Sequence, residues 1–109
     1  MSDRPIGVFD SGLGGLTVVK ALKEILPNES ILYFGDTARL PYGVKSRDLI
    51  IQYSMQIANF LIKNDAKMII VACNTATAMA LEVLKNNFKD TPIIGVIEPG
   101  SIQASLDSR

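Results

Sequence analysis

Short apolar runs rich in β-formers alternate along this chain with helical stretches of period near 3.6, and that alternation confines it to an α/β architecture around a parallel sheet. Four βα units are predicted. Strand one runs from Ile6 to Phe9, and a glycine-rich turn leads into a helix with Leu16, Val19, Leu22 and Leu26 on one face, stopped by Pro27. Strand two runs from Ile31 to Phe34. A longer loop, Gly35 to Gly43, then leads to Ser46 as an N-cap and to a helix burying Ile50, Tyr53, Ile57 and Leu61. Strand three spans Met68 to Ala72, its helix carries Ala76, Met79, Ala80, Val83 and Leu84, and strand four spans Ile93 to Ile97 after Pro92. The expected fold is three-layered, a four-stranded, mainly parallel sheet flanked by helices. Met55, Met68 and Met79 read as core filler.

At 109 residues the chain is one folded unit or less. Residues 1–98 are expected to form an incomplete domain, and residues 99–109 to begin a crossover at Pro99-Gly100 that stops without a C-cap or a following strand, as in a piece of a larger protein. Eleven basic residues balance eleven acidic ones, which argues against a nucleic-acid footprint or a polybasic membrane patch. One cysteine rules out an internal disulfide framework, and the absence of histidine removes the commonest metal ligand and general base. No metal site is expected. The N-terminal residues lack the regions of a signal peptide and no apolar run approaches a membrane span, so a cytoplasmic location is expected.

In an open parallel sheet, ligands sit outside the carboxyl ends of the strands, where the following helices point their N-termini. Those ends read Asp10-Ser11-Gly12, Gly35-Asp36-Thr37, Cys73-Asn74-Thr75 and Glu98-Pro99-Gly100. Cys73 ends a strand and opens an alanine-rich helix, which suits a reactive thiolate at a positive helix N-terminus; a buried structural cysteine is the alternative. Asp10 and Ser11 either serve a ligand beside the Gly12, Gly14 and Gly15 turn or cap the helix. Asp36 is a ligand-facing acid or the head of an Asx turn. Pro41, Tyr42 and Gly43 either present a phenol and backbone groups to a ligand or form a structural turn. Asn74, Thr75 and Thr77 can cap their helix and bind an anion with the same amides.

Two functional classes follow from these residues. One is a cofactor-free enzyme using the Cys73 thiolate on a small carboxylate. The other is a nucleotide- or small-anion-binding module, because Gly12 to Thr17 reads G-x-G-x-x-T and Asp36 lies near the place of a ribose-binding acid. The third glycine of that fingerprint is replaced by Thr17, and the Asp10 carboxylate would repel a pyrophosphate.

Three segments taken together, Gly7 to Thr17, Tyr33 to Gly43 and Ala72 to Ala78, resemble the N-terminal portion of bacterial glutamate racemases, in the aspartate/glutamate racemase superfamily. The resemblance runs in order from about Ile6 to Gly100. It implies half of a two-domain racemase fold, with 99–109 leading toward the second domain. The implied activity is interconversion of L- and D-glutamate for peptidoglycan synthesis, without a cofactor, by two cysteines on opposite faces of the substrate α-carbon. Cys73 matches the first cysteine, and Asp10 the carboxylate that assists it. Ser11, Pro41, Tyr42, Gly43, Asn74 and Thr75 match substrate-contacting positions, and Asp36 a supporting one. The resemblance places the second cysteine in a Cys-Thr-His motif, absent here, so this chain alone is expected to be inactive. Expected partners are L- and D-glutamate, with no nucleic acid or membrane, and self-association, a homodimer in the intact protein. A non-catalytic interaction fragment is the remaining alternative.

Overall fold

The computed structural model describes residues 3–12, 15–39 and 41–95. Among these residues strand and helix alternate: β1 (Ile6–Asp10), α1 (Gly15–Ile25), β2 (Ile31–Gly35), α2 (Arg47–Lys63), β3 (Met68–Val71), α3 (Asn74–Asn87) and β4 (Ile93–Gly95). All pairings are parallel and the strand order is β2-β1-β3-β4. β1 is therefore central, and every one of its residues is buried. Register places Val8 opposite both Tyr33 and Ile70, and Asp10 opposite Gly35.

Crossover handedness explains the layers. The β1-to-β2 connection moves one way along the sheet and the next two move the other way, so right-handed crossovers put α1 on one face and α2 with α3 on the opposite face. The apolar clusters follow that division. Val18, Val19 and Leu22 of α1 pack over Ile6, Val8 and Ile70. On the other face Ile50, Ile57 and Leu61 of α2 and Ala76 and Leu84 of α3 pack over Phe9, Ile69, Val71 and Ile93. Met55, Met68 and Met79 pack as partly buried residues against these clusters, which agrees with their reading as filler.

Several boundaries differ from expectation. β1 and β2 each run one residue further, to Asp10 and Gly35, and β3 stops at Val71. The expected α1 stripe is corrected at both ends: Leu16 is 67% exposed and Leu26, just past the helix, 41% exposed. The contact of α1 with the sheet is carried by Val18, Val19 and Leu22 in its middle turns. Tyr53 is half-buried where full burial is expected, while Ser54 and Ala58 join the buried stripe of α2. The Gly35 to Gly43 connection is more ordered than a plain loop, with 3-10 turns at Thr37–Arg39 and Tyr42–Val44. Ser46 caps α2 as expected, its hydroxyl accepting from the Leu49 amide at 3.2 Å. The end of strand four at Ile97, the Glu98-Pro99-Gly100 rim, Gly14 of the first turn and the boundary at residues 98 and 99 lie outside the described residues.

Candidate active site

Three strand ends converge on one rim. The β1–β2 ladder continues past the strands through the Asp36 amide, which donates to the Asp10 carbonyl at 2.9 Å. On the other side the Ala72 amide donates to the Phe9 carbonyl at 2.7 Å. These two bonds set Asp10, Asp36 and Cys73 side by side in the backbone. Gly12 follows with φ of +107°, a conformation that side chains rarely adopt, and a Cβ there would lie 2.7 Å from Thr37 Cγ2. The turn after β1 and the turn after β2 are thus closely packed.

Cys73 is both buried and placed at the start of a helix. It is 7% exposed and belongs to the core cluster with Phe9 and Tyr42, yet it is also the N-cap of α3. Its backbone is extended (φ −105°, ψ 124°), and its Sγ accepts from the Ala76 amide at 3.5 Å. The positive end of a helix of fourteen residues is therefore directed at the sulfur. Thr77 is structural: its hydroxyl donates to the Val71 carbonyl at 3.2 Å and ties the first turn of α3 to the end of β3. Asn74 is exposed and Thr75 half-buried in that same turn.

Alternation along the strands separates the two candidate catalytic groups. Phe9, Val71 and Cys73 share the face covered by α2 and α3, whereas Ala72 sits with the α1 cluster. Asp10 is fully buried and accepts a hydrogen bond from Tyr33, another member of the α1 cluster, at 3.2 Å. Asp10 and Cys73 consequently reach the rim from opposite faces of neighbouring strands. Burial, first, and the Asp10 carboxylate beside it push the Tyr33 phenol above its ordinary range. Ser11 is buried at the same rim.

The second carboxylate is held differently. Asp36 is 4% exposed; its Oδ2 accepts the Tyr42 hydroxyl at 2.5 Å and lies 3.4 Å from Arg39 Nε. Tyr42 is buried against Phe9 and Tyr53, with ring centroids 6.3 and 5.9 Å away. Its phenol is raised far above the ordinary range, mainly by burial and then by the bond and charge of Asp36. The Tyr42 hydroxyl is therefore committed inside the protein, and within its tripeptide Pro41 and Gly43 are the exposed members. This also weighs against the nucleotide reading, since the acid at the ribose-binding position is occupied by Tyr42 and Arg39.

Comparison with known proteins decides the relationship. No family model matches the chain. The glutamate racemase of Lactococcus lactis subsp. lactis is 57% identical over 104 residues, 95% of this chain and 38% of that protein. Among solved structures, the glutamate racemase of Aquifex pyrophilus superposes with a TM-score of 0.86 at 52% identity, over 96% of this chain and 41% of that one. The glutamate racemase of Francisella tularensis in complex with D-glutamate gives 0.83 at 55% identity, over 87% of this chain and 36% of that one.

The chain corresponds to the N-terminal portion of glutamate racemases.

It spans about two fifths of the length of the glutamate racemases it matches. Their fold over this span is the same parallel α/β half, which agrees with the expected architecture. Glutamate racemases are amino-acid isomerases, and the enzyme class read from the sequence agrees with theirs. Tyr33, Arg39 and Tyr53 are the members of the site that the sequence reading passed over. Period-two alternation gave a signal for the first, because Tyr33 lies two residues before Gly35, on the strand face shared with Asp10. Arg39 and Tyr53 meet only because α2 folds back over the connection, which no local pattern records.

Proposed function

We propose that this chain supplies one side of a glutamate racemase site, with Cys73 as the base that exchanges the α-proton of glutamate. The observation that carries the proposal is the single thiol capping α3 at the carboxyl-end rim, in a chain 57% identical to the Lactococcus lactis glutamate racemase over 104 residues. In the step proposed, the Cys73 thiolate takes the α-proton, leaving the electron pair on the α-carbon and the proton on sulfur. Asp10 assists from the neighbouring strand, Asp36 supports through Tyr42, and Ser11, Pro41, Gly43, Asn74 and Thr75, with the backbone of Tyr42 in place of its inward-turned phenol, form the substrate-contacting surface. The first-turn amides of α3 at Asn74 and Thr75 suit the substrate carboxylate. No cofactor or metal enters the step.

Inversion needs a second acid on the far face of the α-carbon, and this chain holds one cysteine and no histidine. The 109-residue chain is therefore expected to return the proton to the face it came from. Proton NMR of L-glutamate in deuterium oxide should show slow α-deuteration with the chain and none above background with Cys73→Ala. Equal exchange in both would overturn the role given to Cys73. Circular dichroism of the same mixture should show no racemisation. Loss of optical activity that disappears with Cys73→Ala would overturn the need for a second acid.

The biological setting proposed is supply of D-glutamate for peptidoglycan in the cytoplasm. Among the described residues no helix is long and apolar enough to cross a membrane. Self-association is proposed as well, on the exposure of Ile94 (47%) on the sheet face that, among the described residues, α1 alone covers. Light scattering that found a monodisperse monomer would count against it.

A further inference from the structure

Arg39 makes a set of contacts that its place in a surface connection does not require. Its Nε lies 3.4 Å from Asp36 Oδ2, the oxygen that also accepts the Tyr42 hydroxyl. Its guanidinium carbon stands 4.1 Å from the centroid of the Tyr53 ring, and Nη1 donates to Gln56 Oε1 at 2.8 Å. Tyr53 also packs against the Tyr42 ring. Tyr53 and Gln56 are three residues apart on α2 and so share one helical face, which gives Arg39 a rigid platform. The ion pair is two-thirds or more buried on both sides, unlike solvent-exposed pairs that contribute little.

These contacts close a ring. α2 holds Arg39 through Tyr53 and Gln56, Arg39 holds the buried charge of Asp36, Asp36 holds the Tyr42 hydroxyl, and the Tyr42 ring returns to Tyr53. Tyr42 and Cys73 belong to the same buried cluster, and the Tyr42–Val44 turn packs against α3. We infer that Arg39 and Tyr53 are positioning residues that hold Asp36 and Tyr42 in place beside Cys73. The inference gains its functional meaning from the reading of Cys73 as the reacting thiol.

Removing the cation leaves Asp36 as a buried carboxylate without its ion-pair partner, and relief comes from movement of Asp36 and Tyr42 toward water. That movement uncovers Cys73. Alkylation by iodoacetamide reads this directly, because the chain has a single cysteine. Arg39→Gln and Tyr53→Leu should each raise the rate constant for Cys73 about tenfold, the scale of a partly desolvated cation–π contact. Tyr53→Phe keeps the ring under the guanidinium and should stay within about twofold of the parent. A purely structural role would lower the urea midpoint and leave the native-state alkylation rate unchanged. The inference is overturned if Arg39→Gln reacts as the parent does, or if Tyr53→Phe reacts as fast as Tyr53→Leu. Should Arg39→Gln fail to fold, Gln56→Ala removes one bond at an exposed position and must still accelerate alkylation; an unchanged rate overturns the inference.

Adding D-glutamate separates this inference from the proposed function. Protection of the parent, weakened in Arg39→Gln, supports both. No protection of the parent, with the variant rates as expected, overturns glutamate binding and leaves the positioning role standing. Protection of the parent with unchanged variant rates overturns the positioning role alone.

Discussion

Each carboxylate at the rim is met by a tyrosine, and the two pairs are built in different ways. Tyr33 reaches Asp10 along the α1 face of the sheet, passing over Gly35, where a Cβ would lie 2.7 Å from the Tyr33 hydroxyl oxygen. Gly35→Ala is therefore expected to displace the phenol that donates to a fully buried carboxylate. Tyr33→Phe removes the same donor and should lower the unfolding free energy by about 1–2 kcal/mol, measured by urea denaturation. The double variant should cost little more than the larger single change, because both act on one hydrogen bond. Full additivity would show that Gly35 acts elsewhere. Asp10, Asp36 and Cys73 were legible in the sequence because strand ends in a parallel sheet are a place where polar residues carry meaning. Their partners were less so: Tyr33 depends on cross-strand register, and the Arg39–Tyr53 contact on the return of α2. The Tyr42 phenol, a ligand-facing candidate by sequence, turns inward because a buried acid lies six residues before it.

At the scale of elements, α2 does two tasks, covering one sheet face together with α3 and holding the connection that precedes it. Its start depends on Ser46, so Ser46→Ala is expected to cost about 1 kcal/mol in unfolding free energy. Its buried stripe contains Ser54, fully buried with a hydroxyl that has no hydrogen-bond partner among the described residues. Ser54→Ala should therefore stabilise the chain by about 1 kcal/mol, seen as a higher urea midpoint at unchanged slope. A lower midpoint would mean that the hydroxyl is satisfied in solution. The order of strands and helices was legible because period-two and period-3.6 patterns are local. The depth of each stripe was not. Leu16 and Leu26 fit the α1 pattern and remain exposed, since Val18, Val19 and Leu22 between them make the contact with the sheet, and Tyr53 lies half-buried because it serves the guanidinium beside it.

For the molecule as a whole, the two raised phenols couple stability to alkaline pH. In the unfolded chain both ionise near their ordinary value of 10.0, whereas in the folded chain both hold their protons to higher pH, Tyr42 furthest. Below about pH 10 both states are protonated at these positions, and the contribution to stability is fully present. Above it the unfolded state loses protons first, so the folded state binds more, and stability falls as pH rises toward the folded values. Urea midpoints from pH 8 to 11.5 should therefore fall less steeply above pH 10 for Tyr42→Phe than for the parent, even though Tyr42→Phe starts lower at pH 8 for want of its bond to Asp36. Tyr33→Phe should show the same change in slope to a smaller degree, because burial and a single carboxylate act on a phenol that is only partly enclosed. Parallel curves for parent and Tyr42→Phe would mean that the Tyr42 hydroxyl ionises normally in the folded protein. The Asp36–Tyr42 pair would then be too loose to fix the residues beside Cys73.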